Sequence, residues 1–143
     1  MTNYLLDTNV LSELARSRPS PGVVSAMSSL SLDAMFLSDV VIAEIRFGIE
    51  SAPDVVRRET LLKWLNIDIR RTFAGRIVPV TEDILVRWRW IIEAGRRKGY
   101  TFEQSDALLA ATADHHRLTV LTRDCKPFTE ADVASLNPWR MHR

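Results

Sequence analysis

Cysteine occurs once in this sequence, at Cys125, which excludes an internal disulfide and a cysteine-based zinc site alike. Glycine is nearly as rare, five in 143 residues, and no tract is dominated by glycine, proline or serine, so collagen-like and low-complexity architectures are excluded. No apolar run approaches the ~20 residues needed to span a membrane. The first residues lack a basic segment followed by a signal-type apolar stretch, so we expect a cytoplasmic chain without membrane contact. Neither sign of charge is in excess, with 19 Lys or Arg against 18 Asp or Glu, so bulk charge names no partner.

What is present describes a globular protein, 46% hydrophobic and 26% charged. The length suits one domain over residues 1–143, and a chain of this size buries about 70% of the surface its unfolded form exposes. The even charge balance hides a segregation. From Arg57 to Lys98 there are 11 Lys or Arg and 5 Asp or Glu, whereas the rest of the chain carries 8 and 13. A phosphate-binding face beside a carboxylate cluster has this pattern, and so does a set of solvated helix faces.

Tyr4–Leu6, Phe36-Leu37, Ile77–Val80 and Leu118–Leu121 are short apolar runs that read as strands. Val40–Ile49 reads as a largely buried helix. Ile84, Leu85, Trp88, Ile91, Ile92 and Gly95 follow helical spacing after the cap-like Thr81, and Ala107–Ala113 is rich in helix formers. The segments Ser17–Gly22 and Ser51–Pro53 break helices, and Lys98-Gly99 closes the long one. Strands alternating with helices predict an α/β fold with a short, mostly parallel sheet covered by helices.

Carboxylates fall at telling places in that pattern. Asp7 ends the first strand, Asp124 follows the strand at Leu118–Thr122, and ligands of open parallel sheets bind outside the carboxyl ends of the strands. Asp106 opens the helix Ala107–Ala113, and Glu44 interrupts the apolar helix Val40–Ile49. Each has a plain alternative: Asp7 as a helix cap, Asp106 as an N-terminal helix acid, Asp124 as a turn residue, Glu44 paired with Arg46 or Arg123. Gathered together, four such groups would repel, and a divalent cation relieves the repulsion. Mg²⁺ or Mn²⁺ takes carboxylate and water oxygens, leaves positions for a phosphate, and lowers the pKa of a bound water for attack on phosphorus. Phosphodiester hydrolysis is the chemistry this predicts.

The strings YLLDTNVLSEL, LSDVVIAEIRFGI, FAGRIVPV, SDALLAATADHHRLTVLTRD and LNPW, in this order, resemble the PIN-domain family, most closely its VapC/FitB-like toxins. The resemblance runs from about Asn3 to Trp139. It implies a PIN-like α/β/α sandwich, with the family's acids on Asp7, Glu44 and Asp106 and a more variable fourth on Asp124. It implies supporting roles for Thr8, Asn9 and Thr122 around the metal. It also implies Mg²⁺- or Mn²⁺-dependent RNA cleavage, a homodimer, a cognate antitoxin that reaches into the acidic site, and contact with DNA only through that antitoxin. Many relatives have Asn where Asp124 stands and an acid before the Phe, where this chain has Pro127. Glu103 adds an acid near Asp106 that reads as a solvated loop residue.

Arg87, Arg89, Arg96, Arg97 and Lys98 place cations along and at the end of the long helix, suited to RNA phosphates or simply to solvent. Trp88 lies on the apolar stripe, while Trp64 and Trp90 are candidate stacking residues; Leu61, Leu62, Trp64 and Leu65 are a candidate dimer surface. His115 and His116 point about 100° apart on a helix and read as surface residues, and His142 carries no argument. The alternative to a nuclease is a partner-regulated binding module in a repressor complex. A phosphatase using paired aspartates would want a second Asp at position 9, where Asn9 stands.

Overall fold

The computed structural model describes residues 1–141; His142 lies outside them. Five short strands, β1 (Tyr4–Leu6), β2 (Met35–Ser38), β3 (Ile77–Val78), β4 (Thr119–Leu121) and β5 (Ser135–Leu136), form one parallel sheet. The order β3-β2-β1-β4-β5 puts β1 at the centre, with Leu5 opposite Phe36 on one side and Val120 on the other. Leu5, Leu6, Val120 and Leu121 are wholly buried. Strands covered on both faces read as continuous apolar runs, which is why these were visible in the sequence.

Helices surround the sheet in an α/β/α arrangement: α1 (Thr8–Ala15), α2 (Pro21–Ser28), α3 (Asp39–Glu50), α4 (Val55–Lys63), α5 (Arg70–Thr72), α6 (Glu82–Lys98), α7 (Gln104–His116) and α8 (Lys126–Glu130). Their ends follow capping chemistry. The Thr81 hydroxyl accepts from the Ile84 N–H to start α6, and Gly99, at φ 79°, closes it in the left-handed conformation that glycine adopts without a Cβ penalty. Asp54 and Ser38 cap α4 and α3 in the same way. A π-helical turn, Trp64–Ile69, joins α4 to α5 and turns Leu65 and Ile69 into the core.

Several expectations are corrected. Helix α3 is amphipathic rather than largely buried: Val41, Ile42, Ile45 and Ile49 face the core, while Phe47 is 74% exposed. Leu65 is fully buried and takes no part in a surface, while Leu61, Leu62 and Trp64 pack half-buried against the core. The Ser-Pro-Gly cluster at 20–22 is a helix start as well as a break, since Ser20 caps α2 and Pro21 takes its first position, where no N–H is needed. Strand β5 is two residues long and carries no alternating pattern, so the sequence did not announce it.

Candidate active site

Strand order decides where the site lies. From β1 the chain winds outward to β2 and β3, then returns past β1 to β4 and β5. Neighbouring strands that lead in opposite directions open a crevice at their carboxyl ends. That crevice lies between β1 and β4, where Asp7 and the segment Thr122–Asp124 emerge.

A buried hydroxyl ties the two strand ends together. Thr122, fully buried, donates to Asp7 Oδ2 at 2.8 Å and accepts from the Asp124 N–H at 3.2 Å. Asn9 Nδ2 also reaches Thr122 Oγ1, at 3.3 Å, and its Oδ1 accepts from the Arg123 N–H at 3.1 Å. Asp7 Oδ1 accepts from the Thr8 N–H at 2.7 Å, which caps α1. Helix α3 joins through Thr8, whose hydroxyl donates to Glu44 Oε1 at 3.3 Å. Asp124 spends one oxygen on the Lys126 N–H at 3.2 Å, steadying the turn into α8. The capping and turn roles of Asp7 and Asp124 are therefore real, and both residues still line the crevice.

Electrostatics bring Asp106 into the same group. Burial raises its pKa from 3.8 to about 6, with further contributions from the charges of Asp7, Asp124, Glu103 and Glu44. Burial also raises Asp7, opposed by the bonds from Thr122 and Thr8 and assisted by Asp124. Glu44 is raised by partial burial and by Asp7, against the bond from Thr8. Yet Glu44 stands on the exposed side of α3, so the cost expected of a buried glutamate there is smaller than its apolar neighbours implied. Glu103 is exposed, as expected of a loop position, and its charge is nonetheless felt at Asp106.

No basic side chain neutralises this group. Among the described residues, ion pairs engage Glu13, Glu50, Asp114, Glu93 and Glu130, and none engages Asp7, Glu44, Asp106 or Asp124. Arg46 bonds Glu50 instead of Glu44. Among the described residues no three acids, histidines or cysteines come close enough together to hold a metal ion by themselves. Hard oxygen donors with uncompensated charge around an open crevice suit Mg²⁺ or Mn²⁺, since such ions keep several waters and accept only one or two carboxylates directly. The residues present fit the ion.

The expected RNA-binding cations are placed less directly. Arg87 pairs with Asp114, Arg96 and Arg97 with Glu93, and Lys98 with Glu130, while Arg89 has no ion pair among the described residues. The Lys98–Glu130 pair ties the end of α6 to α8, close behind Asp124. Trp88 is half-buried with its indole N–H unpartnered among the described residues, and Trp90 is 62% exposed. The sequence reading missed Asn137, whose Nδ2 donates to the Arg123 carbonyl at 3.1 Å; its only signal was the LNPW string.

A parallel sheet wrapped by helices, with an acid-lined crevice at its switch point, is an α/β fold with a polar ligand site at the carboxyl ends of its strands. The chain belongs to the PIN domain family, which matches residues 4–133. It is 39% identical to toxin FitB of Neisseria gonorrhoeae over 94% of this chain and 97% of that protein. It is 32% identical to VapC ribonuclease Y4jK of Sinorhizobium fredii over 94% of this chain and 96% of that one. A solved structure of FitAB bound to the IR36 DNA fragment superposes with a TM-score of 0.91 at 36% identity, covering 98% of each chain. No helix among the described residues is long and apolar enough to cross a membrane.

Proposed function

We propose that this chain is a Mg²⁺- or Mn²⁺-dependent endoribonuclease that acts as the toxin of a toxin–antitoxin pair. The observation that carries the proposal is the set of Asp7, Glu44, Asp106 and Asp124 around one crevice with no cation partner. Similarity to a VapC ribonuclease supports RNA as the substrate. Asp7, Glu44 and Asp106 would hold the ion, one or two of them directly and the rest through its waters, with Asp124 assisting. When bound, the ion supplies a Lewis acid for the phosphodiester and lowers the pKa of water for attack on phosphorus. Thr122 and Asn9 fix the Asp7 carboxylate, and Thr8 couples it to Glu44, so the donors are oriented before substrate arrives. Arg96, Arg97 and Lys98, with Arg87 and Arg89 further along α6, are assigned to flanking RNA phosphates; their exposed pairs hold weakly and exchange readily.

An apolar groove leads out of the same crevice. Thr8 and Glu44 mark its inner end, and Ile45, Ile49, Leu61 and Trp64 line it toward Arg57. We assign it to a cognate antitoxin segment that carries a basic side chain to the carboxylates and supplies any contact with DNA, as similarity to FitAB bound to DNA supports. The homodimer belongs to the same proposal, with Leu85, Val86 and Trp90 of α6 as the exposed apolar surface available to it. The groove is also what favours the second reading, a binding module with little catalysis.

Expression in a bacterial host separates them. The wild-type chain should arrest growth and degrade RNA, and Asp7→Asn and Asp106→Asn should do neither while remaining folded. Purified wild type should cleave single-stranded RNA with Mn²⁺ and stop with excess chelator. Cleavage that persists in chelator overturns the metal-dependent nuclease, and equal growth effects of wild type and Asp7→Asn favour the binding module.

A further inference from the structure

Arg123 stands between two residues of the acidic crevice, yet its side chain neutralises none of the carboxylates. The guanidinium carbon instead lies over the ring of Trp139, 5.0 Å from its centroid. The backbone beneath is pinned on both sides. Its N–H donates to Asn9 Oδ1 at 3.1 Å, and its carbonyl accepts from Asn137 Nδ2 at 3.1 Å. Asn137 Oδ1 also accepts from the Trp139 N–H at 2.9 Å, so one side chain fixes the cation's backbone and the ring's backbone together. Trp139 packs against the core and is half-buried, whereas Arg123 is exposed and has no ion pair among the described residues.

A site built from carboxylates faces a difficulty with a polyanion. A metal ion offsets charge at the scissile phosphate, but neighbouring phosphates still approach a negative crevice. A cation on the crevice rim, held away from the carboxylates, removes that difficulty. The contact with the Trp139 ring uses no acceptor, and no ion pair among the described residues engages the guanidinium, so its N–H donors are available for a bidentate phosphate contact, which a lysine cannot reproduce. We propose that Arg123 binds a backbone phosphate of the RNA beside the scissile bond, with Trp139 and Asn137 as positioning residues that hold it there. This rests on the nuclease reading above.

The test uses the full chain, Mn²⁺ and a random-sequence single-stranded RNA pool, with KM, kcat and their salt dependence measured. Arg123→Ala should raise KM about tenfold with kcat within about twofold, and reduce the slope of log KM against log salt by about 0.7, the loss of one phosphate contact on a single strand. Arg123→Lys should keep the salt slope and recover only part of the KM. Trp139→Phe should stay close to wild type, and Trp139→Leu should raise KM in the direction of Arg123→Ala. Arg117→Gln, in the turn between α7 and the amino end of β4, is the control and should change nothing. Wild-type KM and salt slope in Arg123→Ala overturn the inference, as does a fall in thermal stability and kcat with KM unchanged. Wild type and Arg117→Gln that do not cleave at all overturn the nuclease reading, and the inference with it.

Discussion

Asp106 links the proposed function to stability. Its folded pKa, about 6, lies above the ordinary 3.8, so the folded chain binds this proton more tightly than the unfolded chain does. The favourable contribution is present below the ordinary value and is lost as pH rises from there through about 6, so the metal-free protein loses stability over that window. Asp7 and Glu44 shift in the same direction. Asp106→Asn should therefore raise the metal-free stability near neutral pH by about 1–2 kcal/mol after allowance for solvent screening, seen as a higher thermal midpoint, and flatten the decline with pH. Mn²⁺ should raise the thermal midpoint of wild type and leave that of Asp106→Asn unchanged. Melts in acid and neutral buffers, with and without Mn²⁺, check both; a variant less stable than wild type at neutral pH contradicts the account. Thr122→Val is the complementary case. It strands the Asp7 carboxylate and the Asp124 N–H without their buried partner, and should cost about 1–3 kcal/mol in denaturant unfolding and weaken Mn²⁺ binding. The acids themselves were legible because a polar stop after an apolar strand is conspicuous. Thr122 was reached only through the resemblance, because its partner Asp7 is distant in the chain and nothing local distinguishes its hydroxyl from any other.

At the scale of elements, the sequence is clear where burial imposes a period and silent where it does not. Helix α6 was readable from Thr81 to Gly99 because its stripe and both caps are present. Helix α4 has no buried residue and α2 begins inside an apparent breaker, so neither left a pattern to read. Two glycines test how closely the elements fit. Gly95 sits where α6 meets the segment leading to α7, and a Cβ there would stand 2.6 Å from Phe102 Cε2 and 2.7 Å from the Tyr100 carbonyl oxygen. Alanine gains about 1 kcal/mol of helix propensity, but overpacking against backbone costs about 1–3 kcal/mol, so Gly95→Ala should destabilise. The displaced segment leads directly into the first turn of α7, so RNA cleavage should fall as Asp106 moves. Gly48 in α3 meets nothing within 4 Å, and Gly48→Ala should stabilise the isolated chain by about 0.5–1 kcal/mol. Parallel denaturation of the two variants is the check, and the same sign for both contradicts this account of the packing.

For the whole molecule, the proposed function has one crevice serve two polar visitors of opposite charge. A phosphodiester would enter with a divalent cation, and a partner's basic side chain would take that cation's place among Asp7, Glu44 and Asp106. The groove from Thr8 and Glu44 past Ile45 and Ile49 to Trp64 gives the partner a route that an RNA strand at the rim does not need. The crevice was legible from the acids at its strand ends, but the groove was not, because it is assembled from α1, α3, α4 and the π-helical turn, stretches far apart in residue order that only the fold brings together. Separate routes mean that the two activities can be separated. Gly48 lines the groove one helical turn beyond Glu44, with open space where a side chain would project. Gly48→Tyr should fill the groove and leave RNA cleavage with Mn²⁺ within a few-fold of wild type. It should weaken neutralisation by the cognate antitoxin at least about tenfold, roughly 1.4 kcal/mol of binding. Titrating antitoxin into the cleavage reaction measures both quantities at once. If Gly48→Tyr is neutralised as tightly as wild type, the antitoxin does not enter along this groove; if cleavage is lost as well, the two routes are not separate.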